Sequence, residues 1–110
     1  SSDLVLKIAS LLKKRGAGRI YICSTFGLFT DGLDKFDEGF KNGVFDKLLT
    51  TNLVYQTPEL LEKSYYITCD MSKYIALIID TLNHDMSVSH LLNPVDRIKR
   101  CVSNYMDQYK

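Results

Sequence analysis

The chain has 110 residues, of which 45% are hydrophobic and 25% are charged, and its formal net charge is +1. This length fits one domain or part of one, which hides about 65% of the surface that the unfolded chain exposes. The composition excludes disordered and collagen-like chains. A charge so close to zero gives no general attraction to nucleic acid or to anionic membranes, so we expect neither as a partner.

No segment has the pattern of a membrane-spanning helix or of a secretion signal. The longest nearly apolar run, residues 74–82, is about half of the ~20 residues that a bilayer requires, and it contains Asp80. The first residues lack the basic and apolar regions of a signal peptide. We therefore expect a cytoplasmic protein.

Three cysteines, Cys23, Cys69 and Cys101, are widely spaced. Cys23 and Cys69 each lie within an apolar segment with strand character. An odd number at this spacing suits neither disulfides nor a metal site, so we predict three small buried hydrophobic side chains.

The first helix is predicted over residues 3–15. Its apolar residues form a broad stripe, which indicates burial on two sides. Ser2 or Asp3 is suited to cap its first amides, and Gly16 is placed to end it in the left-handed conformation.

Strands and helices alternate over the rest of the chain. We predict strands at 19–25, 47–53 and 65–69, a short helix ended by Gly43, and a loop or single turn at 54–62. A helix follows Asp70 or Ser72, with a predicted buried stripe of Met71, Tyr74, Ile75, Ile78, Ile79 and Leu82. Residues 87–92 form a compact turn, and a last amphipathic helix spans about 94–109. We treat 1–110 as a single domain.

This alternation is typical of an α/β domain with about three mainly parallel strands and flanking helices. Ligands of such sheets bind at the loops after the strands, here 24–32, 52–58 and 70–72. Each of the three strands is apolar enough that we expect both faces of the sheet to be covered. In a monomer, a sheet of three such strands would leave its edges unpaired and part of its apolar surface exposed. We therefore expect a homo-oligomer.

Four segments carry a family resemblance. They are Gly-Ala-Gly-Arg-Ile-Tyr-Ile (16–22), Thr-Phe-Gly-Leu-Phe (25–29), Thr-Asn (51–52) and Ser-Val-Ser-His-Leu-Leu (87–92). In order and spacing, from Ser1 to about Leu92, they resemble the carboxyl-terminal part of ribose-phosphate pyrophosphokinase, also called phosphoribosyl pyrophosphate synthetase. The resemblance implies part of a phosphoribosyltransferase-like (type I) domain. It also implies an intact enzyme that transfers pyrophosphate from ATP to ribose 5-phosphate with Mg²⁺, in nucleotide biosynthesis.

The resemblance further implies that much of the chemistry lies outside this chain. Family members carry two adjacent aspartates and a loop for the sugar phosphate just before the first helix. By the alignment Ser1, Ser2 and Asp3 are the remnant of that loop, and Leu4 stands where a second hydroxyl residue is usual. The ATP-binding segments, the Mg²⁺ sites and the basic catalytic loop correspond to positions upstream.

Two further segments are candidate sites by resemblance. Thr25, Phe26 and Gly27 stand where the family commonly has Thr-His-Gly, so Phe26 removes a polar contact; the alternative is a tight turn with Phe26 and Phe29 in the core.

Ser87, Val88 and Ser89 match a segment that lines a regulatory nucleotide or phosphate site between subunits. The alternative for this segment is simple helix capping by Ser87.

We assign no catalytic residue and no metal ligand within the chain. His84 and His90 lack a second ligand at suitable spacing. The carboxylates Asp31, Asp34, Asp37 and Glu38 are interpreted as a solvated helix face.

The leading hypothesis is a carboxyl-terminal fragment of the enzyme that is inactive by itself. A non-catalytic regulatory or oligomerisation module of the same family is the alternative, and an unrelated flavodoxin-like binding domain is a third possibility.

Overall fold

A computed structural model describes residues 2–110, whose contacts divide the chain into two units, with the boundary between Met71 and Ser72. The first unit holds α1 (Ser2–Lys14), β1 (Tyr21–Ser24), α2 (Asp34–Lys41), β2 (Lys47–Thr51), α3 (Pro58–Leu61) and β3 (Tyr66–Cys69). The second holds α4 (Ser72–Asn83), α5 (Ser89–Leu92) and α6 (Val95–Gln108).

The strands form one sheet in the order β1-β2-β3, and both neighbouring pairs are parallel. In register, Ile22 lies opposite Leu48, and Leu48 lies opposite Tyr66. Helices or a helical turn connect consecutive strands, as parallel pairing requires. The predicted α/β class with three parallel strands is confirmed.

The strands are shorter than the apolar runs that predicted them. Before β1, the Ile20 amide donates to the Asp46 carboxylate at 2.8 Å, and the Asp46 amide donates to the Ile20 carbonyl at 2.8 Å. The Asp46 side chain thus takes the place of a backbone acceptor on β2, and the pairing of β1 with β2 begins only at Tyr21.

The core of the first unit joins one face of the sheet to the helices. Its buried apolar residues are Ala9, Ile20, Leu33, Phe36, Phe45, Leu48, Leu60, Tyr65 and Tyr66. The ring of Phe36 meets the rings of Phe29 and Phe45 edge-on, with centroids 5.5 and 6.2 Å apart. Edge-to-face packing of this kind contributes beyond the area that it buries.

The opposite face of the sheet is exposed, which corrects the prediction for the cysteines. Side chains alternate along each strand, so Cys23 and Cys69 point away from the core, and both are exposed. Cys101 on α6 is exposed as well. Apolar strand character predicted cover on both faces, whereas the core covers one.

The prediction that α1 is buried on two sides is also wrong. Ala9 is its buried residue and Leu6 is partly buried against the core, whereas Leu4, Ile8 and Leu11 are half exposed or more. The predicted end of the helix is confirmed, since Gly16 has a φ of +93°. The ammonium of Lys13 donates to the Gly18 carbonyl and fixes the turn.

The second unit has little buried surface. Across residues 72–110, all of which the structure describes, Leu91 is the only buried side chain. The prediction of a buried stripe on α4 is therefore wrong: Ile75, Ile79 and Leu82 are exposed, and three short helices provide too small a core to cover them.

Hydrogen bonds to one carbonyl join the helices of this unit. The hydroxyl of Tyr74 on α4 and the guanidinium of Arg97 on α6 both donate to the Leu91 carbonyl, at 2.8 and 3.0 Å. The guanidinium also lies over the Tyr74 ring, 5.1 Å from its centroid.

Within residues 2–110, no helix is both long and apolar enough to cross a membrane.

Asp37 on α2 links two distant parts of the first unit. Its carboxylate accepts from the Lys63 ammonium and from the Tyr65 hydroxyl, both at 2.7 Å. The hydrogen bond from Lys63 lowers the pKa of Asp37, and the Tyr65 hydroxyl adds to this effect. Burial, together with the bond to Asp37, raises the pKa of Tyr65.

We predict that Asp37→Asn lowers the free energy of unfolding at pH 7 by about 0.5–1 kcal/mol, because an asparagine amide has no negative charge to pair with the Lys63 ammonium. The loss is small because solvent already screens the charges of this pair. A carboxyl with a lowered folded-state pKa contributes fully above its unfolded pKa of about 4, and the contribution is lost as the pH falls through the folded value. Urea unfolding should therefore show the difference from wild type shrinking as the pH falls below about 4. The exposed neighbour Glu38 provides the control Glu38→Gln. A difference that stays constant with pH would contradict the assignment.

Gly27 lies where the loop after β1 approaches β2. A Cβ atom there would lie 2.6 Å from the Phe29 ring and 2.9 Å from the Thr50 methyl group. Gly18, by contrast, has no atom within 4 Å of such a position. The loop thus packs against β2 with no room for a side chain at Gly27.

We predict that Gly27→Ala destabilises the protein by about 1–3 kcal/mol, because the added methyl group overpacks a filled site. Gly18→Ala, the matched control, should leave the stability unchanged or raise it slightly. Thermal unfolding followed by circular dichroism measures both variants. Equal midpoints for the two would show that the loop does not pack as described.

Candidate functional site

The three strands end at the same edge of the sheet, and hydrogen bonds tie the loops that follow them. The Thr51 hydroxyl donates to the Thr25 carbonyl and joins the first loop to the second. The Asn52 amide group donates to the Asp70 carboxylate at 2.8 Å, while its oxygen accepts from the Met71 amide at 2.9 Å. The three loops at which ligand binding was predicted therefore contact one another through these hydrogen bonds.

Thr25, Phe26 and Gly27 form the first part of the loop after β1. Phe26 is 56% exposed, so the prediction that it packs into the core is wrong, whereas Phe29 is partly buried against the core as predicted. Phe29 reaches this position with a φ of +46°, and the Ser24 hydroxyl fixes the preceding turn through the Phe26 carbonyl at 3.0 Å. The chain turns back toward the sheet and leaves Phe26 outside.

A cavity of about 300 Å³ lies between this loop, β1 and the start of α1. Its lining is mainly apolar, with Ser2, Ser24, Thr30, Asp31 and Thr50 as the polar residues. Among the described residues that line it there is no Lys, Arg or His. A carboxylate without a cation does not favour a phosphate group, so these lining residues give the cavity no electrostatic attraction for phosphate.

The predicted remnant of a phosphate loop lies in a helix where the structure describes it. Ser1 is outside the described residues, while Ser2 and Asp3 occupy the first turn of α1. The Asp3 carboxylate accepts from the Lys35 ammonium at 2.7 Å, and this hydrogen bond lowers the pKa of Asp3. A role for these residues toward a sugar phosphate stays a prediction.

Ser87, Val88 and Ser89 form the start of the four-residue helix α5. The Ser87 hydroxyl donates to the Ser89 hydroxyl at 3.0 Å and accepts from the Ser89 amide at 3.3 Å. Val88 holds the cap position, so Ser87 bonds the first turn from one residue further out than predicted. The proposed regulatory phosphate site stays a prediction.

The histidines and acidic residues are dispersed. His84 Nδ1 lies 2.8 Å from the Asp80 carbonyl oxygen, and His90 is exposed. Asp31, Asp34 and Glu38 are exposed as predicted, and only Asp37 departs from the solvated face. Residues 2–110 contain no group of three or more His, Cys, Asp or Glu side chains placed to hold a metal ion. The Mg²⁺ sites that the resemblance implies correspond to positions outside this chain and stay a prediction.

A cluster of buried polar side chains, which the sequence did not predict, lies beneath the loop edge of the sheet. Thr50, only 2% exposed, hydrogen-bonds the Tyr66 hydroxyl, and the Gln56 amide group donates to Tyr66 and, at 2.9 Å, to the Thr68 hydroxyl. Gln56 thereby holds the loop after β2 against the inner face of the sheet. The sequence does contain one indication of this cluster: Thr50 is a polar residue two positions after Leu48, so it lies on the same, buried face of β2.

Comparison with known proteins gives consistent matches. Residues 1–93 match the family model of the phosphoribosyl synthetase-associated domain. The chain is 26% identical over 87 residues to a ribose-phosphate pyrophosphokinase of Vibrio parahaemolyticus and 29% identical over 87 residues to one of Shewanella oneidensis.

Each alignment covers 79% of this chain and 27% of the relative, so the chain spans about a quarter of the length of these relatives. The resemblance to ribose-phosphate pyrophosphokinase is thus confirmed. The parallel sheet, the order of the motifs and these matches agree: the chain belongs to the phosphoribosyl synthetase-associated domain family.

Proposed function

We propose that the chain is the carboxyl-terminal part of a phosphoribosyltransferase-like domain in a ribose-phosphate pyrophosphokinase. The match of residues 1–93 to the family carries this proposal, and the parallel sheet with its loops at one edge supports it. In the intact enzyme, ATP and ribose 5-phosphate would be the substrates and Mg²⁺ the cofactor. The enzyme would act in the cytoplasm as a homo-oligomer.

By itself the chain is proposed to be inactive. Transfer of a phosphoryl-type group depends on cations that surround the phosphates and on a metal that neutralises the developing charge. The polar residues that line the cavity beside β1 are Asp31 and four residues with hydroxyl groups, and Phe26 stands at the position where the family commonly has histidine. The role left to these residues is to complete and support a site that other segments of the enzyme supply.

The alternative is a non-catalytic regulatory or oligomerisation module of the same family. The hydrogen bonds among Thr25, Thr51, Asn52 and Asp70 favour it, because they fix the loops without any ligand. The same bonds are compatible with a fragment, so the two proposals differ in what the gene encodes.

We predict no formation of phosphoribosyl pyrophosphate when the chain is mixed with ATP, Mg²⁺ and ribose 5-phosphate. The reason is that the described residues offer neither a metal site nor a cation beside the cavity. Product is measured by chromatography against a protein-free blank, with the Shewanella oneidensis enzyme as the positive control. Substantial turnover by the chain alone would refute the proposed inactivity.

The mass of the native gene product separates the fragment from the module. A fragment predicts a product in the source cells much heavier than the 12.6 kDa of this chain. Antibodies raised against the chain, followed by intact-mass measurement of the captured protein, provide the value. A mature product near the mass of the chain would replace the fragment proposal with the module.

A further inference from the structure

Helix α6 lies outside the part of the chain that the family explains. The family match ends at residue 93, and α6 begins at Val95. Its apolar side chains are between 46% and 73% exposed: Val95, Ile98, Val102, Tyr105, Met106 and Tyr109. A surface of this kind, on a helix beyond the family match, indicates a contact with a partner.

Four apolar residues of α6 and its C-cap residue form one narrow stripe. Val95, Ile98, Val102, Tyr105 and Tyr109 follow one another at alternating intervals of three and four residues. The rings of Tyr105 and Tyr109 lie on the same side, with centroids 4.6 Å apart. This spacing is the one by which two helices pack along a common seam.

The flanks of the stripe would not repel a second copy. One flank holds Lys99 and Met106, and the other holds Cys101 and Gln108, so a single charge borders the seam. The remaining charges of the helix, among them Arg100 and Asp107, lie on the far side. Paired helices usually carry their charges on these flanks to select a different partner, and α6 has almost none.

We propose that two copies of this chain pair through antiparallel α6 helices. Antiparallel pairing sets Ile98 opposite Tyr109 and Val102 opposite Tyr105, so that these layers join a smaller side chain to a ring, while Val95 lies outside them. Parallel pairing would instead stack tyrosine on tyrosine at one end of the seam. It would also crowd the cations at the other end, where Arg97, Lys99 and Arg100 follow one another closely.

The available area predicts a weak, concentration-dependent dimer. Six side chains that each expose on the order of 100 Å² supply about 600 Å², against about 800 Å² per partner in a stable dimer. The exposed residues Ile75 and Ile79 on α4, in the same unit, provide additional apolar surface. The inference does not depend on the proposed enzyme, because α6 lies beyond the family match.

Sedimentation equilibrium over a range of concentrations tests the pairing on the full chain. We expect a monomer–dimer equilibrium that Val102→Asp weakens about tenfold or more, because the carboxylate would be buried without a partner. Ser103→Asp adds the same charge off the stripe and should leave the equilibrium unchanged; circular dichroism confirms that both variants keep their helices. A monomer at all concentrations, or a dimer that both variants retain, would overturn the proposal.

Disulfide formation tests the orientation without altering the seam. One chain carries Cys23→Ser and Cys69→Ser and keeps Cys101; the other adds Cys101→Ser and Gln108→Cys. In an antiparallel pair the same flanks face each other, so mild oxidation of the mixture should give mainly the mixed dimer by mass spectrometry. No excess of the mixed dimer would overturn the orientation. Flotation of a monomeric chain with phosphatidylserine vesicles, lost in Val102→Asp, would assign the stripe to a membrane and overturn the proposal.

Discussion

Burial of the parallel sheet on a single face is the constraint on which the rest of the structure depends. The central strand β2 places Leu48 and Thr50 inward, each 2% exposed, and the rings of Phe36 and Phe45 fill the space between sheet and helices. Every buried side-chain nitrogen or oxygen in residues 2–110 has a hydrogen-bond partner. Such a core fixes the register of the strands, and the register decides where their loops emerge.

From that register follows the geometry of the candidate site. Because the strands are parallel and adjacent, the loops after Ser24, Thr51 and Cys69 leave from the same edge, where Thr51 and Asn52 tie them together. The Thr50–Tyr66–Gln56 cluster supports the edge from within. The edge is thus held by bonds between its own loops, and a ligand would have to compete with them or complement them.

Local sequence signals predicted the elements well. Gly16 and Gly43 end their helices with φ of +93° and +69°, and the segment around Pro58, predicted as a loop or a single turn, contains the single helical turn α3. These features depend on residues within a few positions of each other, so a single sequence contains what is needed to find them.

Burial and long-range contacts were beyond the same signals. Periodicity tells which side of α1 or α4 is apolar, but it does not tell what covers that side. In the same way, the apolar residues around Cys23 did not tell which face of β1 is covered, so the prediction that Cys23 is buried was wrong. The contacts of Asp37 join residues 26 and 28 positions apart, which no local pattern contains. Phe26 and Phe29 have the same side chain, yet Phe26 is exposed while Phe29, with a φ of +46°, is partly buried against the core.

We propose that the loop edge is closed on itself and that substrate binds there only when other segments of an intact enzyme complete the site. Titration of the isotopically labelled chain with ribose 5-phosphate and Mg²⁺, followed by amide NMR shifts, tests it most directly. We expect no saturable shifts at Thr25, Thr51, Asn52 or Asp70 at millimolar ligand. Saturable, Mg²⁺-dependent shifts at these residues would contradict the account.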